Sequence, residues 1–336
     1  MNLSPQHASY CADSTGNRIK KSPRWDNGEG VASTIGTIMS LLVFLTAFGM
    51  FTNQFVPVWM SDNESSHMST VIQQFTTLKS SVDISISYNS NSRIAPTPVF
   101  VPITLSSAGI PVFAAPTAGI LRYIPEAINQ RPMFNITYSY ISPTGTPNTL
   151  SSSNDGHSGG SLDLYCPNRY FVEQHLVYES GAVILNQSDG EFIIAGPQFS
   201  VRNVGTASSP EIVVMLTQIS LQGLNKTIGG TGSKGVTADL LYADTTAYEN
   251  SAGSQVTITI VSNHGYAWYE YFLSRLDGTA DMTIGNGFTL TKALLPFPPS
   301  PNRMNNYYVV TLTIDNVHIL DYTHAIVKLS IGELGV

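Results

Sequence analysis

The chain has 336 residues, enough to bury one large core or two ordinary ones without disulfides. Only 12% of them are charged, against roughly 25% in ordinary soluble domains, and the formal net charge is -7. The chain holds no cluster of Lys and Arg to neutralise phosphates, which argues against nucleic acid as a partner.

The first element is basic and polar. Arg18, Lys20, Lys21 and Arg24 precede an uncharged run that extends from Gly30 to Ser61. Within that run, residues 31–51 alone are long enough to cross the hydrocarbon layer of about 30 Å as a helix. The next Lys or Arg after the run is Lys79, so the positive-inside rule puts residues 1–30 in the cytoplasm and residues from 61 onward outside. Ala47-Phe48-Gly49 loosely fits a signal-peptidase site, but the long polar prefix with Asp13, Asp26 and Glu29 does not fit a secretory leader. A span between Cys11 and Cys166 would also keep these two cysteines from pairing, which excludes a disulfide scaffold.

Small residues punctuate the span. Gly36, Ser40, Ala47 and Gly49 are the positions at which a second helix could approach closely, so helix packing is expected there.

The stretch GVASTIGTIM (30–39) resembles the N-terminus of archaeal type IV pilin-like proteins, in which a basic leader ends in glycine before a Val/Ser/Ile/Gly-rich apolar helix. The likeness covers roughly residues 18–82. It implies cleavage by a membrane-embedded prepilin peptidase between Gly30 and Val31, and an anchor or filament core built from the helix that follows. Glu29 stands where Lys or Arg is common before the glycine.

After a flank ending at residue 60, ESSHMSTVIQQFTTLKSSVD (64–83) repeats apolar residues every three or four positions, at Met68, Val71, Ile72, Phe75, Leu78 and Val82. That spacing predicts an amphipathic helical stalk over 61–82, either continuing the first helix or starting anew at Pro57. The stripe is expected to pack on the chain's own β domain or on neighbouring helices of a filament.

From residue 83 the period becomes two. DISISY (83–88), FNITYSY (134–140), TITI (257–260) and VVTLTI (309–314) read as strands with one buried face. In YFVEQHLVYESGAVILNQ (170–187), Glu179-Ser180-Gly181 between apolar runs predicts a hairpin. AWYEYFLSRL (267–276) predicts a helix whose aromatic stripe faces the core. A polar loop at 151–161, inside the low-complexity run SPTGTPNTLSSSNDGHSGGS, is expected to separate an N-terminal β portion (83–150) from a main β domain (162–336). The segment 166–187 is also similar to one found in uncharacterised archaeal pilin-like membrane proteins, a likeness that carries no activity. The fold class is therefore mainly β: an N-terminal transmembrane helix, an amphipathic continuation and a β-sandwich-like ectodomain.

Asn63, Asn135, Asn186 and Asn225 begin Asn-x-Ser/Thr sequons, all on the expected outer side, and are candidate N-glycosylation sites.

Three patterns with catalytic or metal-binding spelling lack the context their chemistry needs. GHSGG (156–160) spells a nucleophile elbow around Ser158, but no apolar strand precedes it and no helix follows to aim the hydroxyl. GGTGSKG (229–235) lacks the Gly-Lys-Ser/Thr order that directs a phosphate loop and reads as a turn. In HILDYTH (318–324), a strand puts His318 and His324 on one face and Asp321 on the other, whereas zinc needs three or four convergent ligands.

The expected function is thus structural or interactive, with no catalytic residue, metal or cofactor. The chain reads as a pilin-like cell-surface subunit whose partners are membrane lipid, like subunits or other pilin-like proteins, and prepilin peptidase. Two alternatives are an uncleaved membrane-anchored binding module and, less favoured, a membrane-anchored hydrolase, whose activity would fall on Ser158→Ala.

Overall fold

The computed structural model describes residues 27–92, 96–126, 132–141, 145–152, 159–206, 211–295 and 306–333. The chain divides into two compact units, residues 1–55 and residues 56–336.

The first unit is described from residue 27 and is helical throughout, as the opening part of α1 (Asn27–Ser92). Its helix exposes its apolar side chains all round: Ile38, Val43, Phe44 and Met50 are each more than 60% accessible. Three threonine hydroxyls in this segment are satisfied by the helix itself. Thr37 donates to the Thr34 carbonyl, Thr46 to the carbonyls of Leu42 and Val43, and Thr52 to those of Phe48 and Gly49. Such back-bonding lets a polar residue sit in a medium that offers it no water.

The second unit begins with the remainder of α1, which runs through Pro57 to Ser92. Here the helix buries a stripe: Met60, Met68, Val71, Phe75, Leu78, Val82 and Ile86 are almost inaccessible. The predicted stalk is therefore a core helix, and its partner is the chain's own β domain.

The predicted strand at 83–88 is the last part of this helix. The alternation of DISISY is real, but Val82 and Ile86 continue the stripe of Phe75 and Leu78 into the core, while Ile84 and Tyr88 remain exposed. Tertiary burial of the helical face overrode the local period of two.

Fifteen strands follow among the described residues: β1 (Val99–Thr104), β2 (Gly119–Ile124), β3 (Met133–Ile141), β4 (Pro147–Ser151), β5 (Ser161–Cys166), β6 (Gln174–Glu179), β7 (Ala182–Gln187), β8 (Gly190–Ala195), β9 (Phe199–Asn203), β10 (Ile212–Gln222), β11 (Lys226–Gly230), β12 (Ser233–Ser262), β13 (Thr283–Ile284), β14 (Gly287–Leu294) and β15 (Tyr308–Glu333). A second helix, α2 (Gly265–Leu276), lies between β12 and β13. Six strands form one sheet in the order β11-β2-β5-β6-β7-β8; the other nine form a second, built on the path β13-β14-β15-β12-β3-β4. The domain is mainly β and sandwich-like, as the alternating patterns predict.

The predicted hairpin is β6–β7. Ser180 and Gly181 form its two-residue turn with φ of 48° and 78°, the left-handed pair that matches the twist of the flanking strands. The predicted helix at 267–276 is α2, whose Trp268, Tyr271 and Phe272 face the core.

Strands β12 and β15 are long enough to serve two cores. Val236, Ala238 and Leu240 of β12, with Ala325, Val327 and Leu329 of β15, join the cluster around α1. Val256, Ile258 and Ile260, with Val310, Leu312 and Ile314, join the cluster around α2. The ladder shifts register between Glu249 and Ser254 and again before Val256, where the two halves meet.

The boundary expected at 151–161 does not divide the sheets. Strand β1 pairs with β12 and β2 pairs with β5, so strands from both sides of the polar run share ladders. Non-local pairing of this kind leaves no trace in local composition.

Candidate functional site

Three groups of residues carry chemistry or exposure that the folding of a core does not require. The first is the exposed helix of residues 33–55. At about 100° per residue, Gly36, Ser40 and Ala47 fall on one face, whereas Gly49 lies on the opposite side. The helix therefore brings three of the four predicted packing residues together and separates the fourth. A Cβ added at Gly36 or Gly49 would meet nothing within 4 Å, so neither glycine is required by the fold. Gly30 and Val31, the predicted cleavage pair, fall within α1. The basic segment before them, together with Cys11, lies outside the described residues.

The second group is a buried polar cluster on the face of the six-stranded sheet that meets α2. Glu179, 1% accessible, accepts hydrogen bonds from the Ser262 hydroxyl at 2.6 Å and from Trp268 Nε1 at 2.8 Å. Glu191 caps α2: one carboxylate oxygen accepts from the backbone N–H groups of Tyr266 and Ala267, and the other is 3.1 Å from His264 Nδ1. An acid at a helix N-terminus satisfies orphan donors and complements the dipole. Burial alone would lower the pKa of His264, but Glu191, Glu179 and Asp163 outweigh it and raise the group above its ordinary value.

Asp163 is poised in the opposite sense. Burial would raise its pKa, but His175 at 3.4 Å, Arg122 at 2.9 Å and the charge of His264 hold the carboxyl below the usual range. Apart from the buried His175 Nε2, which has no hydrogen-bond partner among the described residues, the contacts named here join the fold's own groups and brace sheet against helix. Among the described residues, no group of three His, Cys, Asp or Glu side chains converges as a metal site.

The third group clasps two loops to α1 near the start of the second unit. Glu64 is fully buried, and its carboxylate accepts from the backbone N–H groups of Arg169, Tyr170 and Phe171, at 3.1, 2.8 and 2.7 Å, and from the Thr117 hydroxyl at 3.2 Å. One residue earlier, Asn63 Nδ2 donates to the Ala108 carbonyl at 3.1 Å. One turn later, His67 Nε2 donates to the Thr104 carbonyl at 2.9 Å. Burial lowers the pKa of His67 despite that bond and the charge of Glu64, which favours the neutral imidazole.

The sequons divide by environment. Asn225 is exposed in the turn between β10 and β11, whereas Asn63 is tied to Ala108. Asn135 lies in β3 with its Oδ1 buried, and Asn186 is half-buried in β7 opposite His175 and Glu191.

Of the three catalytic spellings, Gly156, His157 and Ser158 lie outside the described residues. Gly159 and Gly160 hold φ of 96° and 90° and lead into strand β5, not into the helix an elbow requires. A Cβ on Gly159 would sit 1.8 Å from the Pro132 carbonyl oxygen, which gives that glycine a packing role. The Gly229–Gly235 segment is the turn from β11 into β12, and His318, Asp321 and His324 lie along β15, with Asp321 alternating away from His324 and His318 at a register shift between Val317 and Ile319. Cys166 is buried, and burial with the nearby Asp163 charge pushes its thiol up to about 12.

Sequence reasoning missed the Glu64 clasp and the Glu191–His264 pair. The former had a signal: Glu64 occupies a position of the apolar stripe between Met60 and Met68. The latter had none, because its members are 73 residues apart.

Taken together, these features define a β-rich protein with a long apolar N-terminal helix that is a candidate membrane anchor. Comparison with protein-family models, with curated proteins and with solved structures returns no match to this chain.

Proposed function

We propose that the chain is a pilin-like, single-pass cell-surface protein, anchored by residues 31–51 with its N-terminus inside and its β domain outside. The observation that carries this reading is the contrast within one helix. Its first part exposes Ile38, Val43, Phe44 and Met50 on every side, while its later part buries Phe75 and Leu78. A solvent-exposed apolar segment of that length is costly in water and stable in lipid.

The role is structural and interactive, not catalytic. In the lipid the face bearing Gly36, Ser40 and Ala47 lets like subunits approach closely. Prepilin peptidase is the processing partner, and cleavage between Gly30 and Val31 would release the basic leader while leaving the helix intact. Among the sequons, Asn225 is the favoured glycan acceptor because its side chain is open to solvent.

Mass spectrometry of the mature protein from its native membrane tests both points. A chain beginning at Val31 with added mass on the peptide containing Asn225 is expected. An intact Met1 would overturn the pilin-like reading, and a chain beginning near Met50 would make the helix an ordinary leader.

A further inference from the structure

Beyond anchoring, we propose that the β domain rests on the outer face of the bilayer through two loops, residues 106–118 and 167–173, which seat their apolar tips among the lipid headgroups. This rests on the reading of residues 31–51 as a membrane span.

The two loops are fastened to the same point of α1. Asn63 holds the first through Ala108, and Glu64 holds both, through Thr117 and through the backbone of Arg169, Tyr170 and Phe171. That point adjoins the end of the uncharged run, since Asp62 is the first charged residue after Glu29. In sequence, the clasp at Asn63 and Glu64 follows shortly after residue 55, where the first unit ends.

What the loops present fits a lipid interface. Residues 106–118, SSAGIPVFAAPTA, contain no charged side chain. Their tip is a tight turn closed by the Ile110–Ala114 bridge, with the Phe113 and Ala114 N–H groups both donating to the Ile110 carbonyl. This turn holds Val112 wholly exposed, with a φ of 71° that a β-branched residue rarely adopts, and leaves Phe113 and Pro111 exposed beside it. The second loop exposes Arg169, Tyr170 and Val172, and the helix itself exposes Val58 and Trp59. Trp, Tyr and Arg beside aliphatic tips is the composition that settles at the headgroup level, where rings sit at the boundary and a guanidinium reaches phosphate. The exposed acid of the second loop, Glu173, is engaged by the Tyr165 hydroxyl.

The test uses the full chain with Cys11→Ser, reconstituted in phosphatidylcholine vesicles. Cys166 is buried with its thiol pKa raised, so it takes no label. Single cysteines at Val43→Cys, Val112→Cys and Leu224→Cys carry a bimane fluorophore, read against lipids bearing a nitroxide near the headgroup or deep in the chain. Leu224 is exposed beyond Lys226, the far end of the β2–β11 ladder, and Lys226 is itself four residue steps or about 13 Å from the Gly119–Gly230 pair next to the first loop.

The expected result is loss of most fluorescence at Val43 to deep nitroxides and at Val112 to shallow ones, with none at Leu224. Phe113→Asp should abolish the loss at Val112 while leaving the circular dichroism unchanged. Quenching at Val43 without quenching at Val112 overturns the proposal and leaves the anchor standing; no quenching at Val43 overturns the anchor itself. A Val112 probe shielded from both nitroxide lipid and aqueous iodide would mean that a second copy covers the tips, which also overturns the lipid assignment. Equal quenching at Val112 and Leu224 overturns it as well.

Discussion

Glu64 is a charged residue placed where the helical stripe calls for an apolar one, and its four donors explain why it is tolerated. A buried carboxylate is stable only when its oxygens are fully hydrogen-bonded, and here three successive backbone N–H groups and a hydroxyl supply the bonds. Glu64→Ala leaves those N–H groups without an acceptor and should cost about 3 kcal/mol in urea unfolding of the full chain in detergent, whereas Glu64→Gln, which keeps one acceptor, should cost less. Equal stability of all three proteins would show that the clasp contributes nothing.

His264 carries a pH dependence. Its folded pKa lies above the unfolded value of 6.5, so its contribution is complete below 6.5 and is lost as pH rises through the folded value. His67 works in the opposite window: its folded pKa is lowered, so its contribution is present above 6.5 and is lost as pH falls through the folded value. Loss of stability on the alkaline side of 6.5 therefore belongs to His264 of this pair. The denaturation midpoint should fall with rising pH there in the wild type and stay flatter in His264→Gln. An identical slope in both proteins would contradict the assignment.

At the scale of elements, the segment 83–88 shows where two periodicities compete. As a strand, Ile84, Ile86 and Tyr88 would share one buried face; as a helix, only Ile86 continues the stripe from Leu78 and Val82. Ile86→Ala should therefore cost about 2–5 kcal/mol in equilibrium unfolding, while Ile84→Ala should stay within about 0.5 kcal/mol. Comparable losses at both positions would indicate a strand.

The same comparison shows what was legible in the residues. The β6–β7 hairpin was readable because Ser180-Gly181 is a local turn signal, and α2 because its aromatic spacing is local. The stripe from Met68 to Val82 was readable as a helix, but its burial by both sheets was not, because its partners Leu121, Leu164 and Leu329 come from distant parts of the chain. The interleaving of strands across residues 151–161 was hidden for the same reason. The long apolar helix was legible from the length and composition of its uncharged run alone. The loop clasp was visible only as an acid standing out of place.

For the whole molecule, the chain joins a long helix whose first part exposes apolar side chains to a β domain packed on the later part of the same helix. The domain's low charge leaves its surface to Ser, Thr, Asn, Gln and Tyr, which keep their character as pH changes. In the proposed function, the apolar helix would hold the protein in the bilayer and the β domain would face outside.

Protease treatment of intact cells, followed by sedimentation of their membranes in alkaline carbonate, tests that arrangement most directly. The predicted result is that external protease removes residues 56–336 while a fragment containing residues 31–51 stays with the membrane pellet. A β domain that survives until the cells are broken, or an intact chain recovered in the carbonate supernatant, would contradict the account.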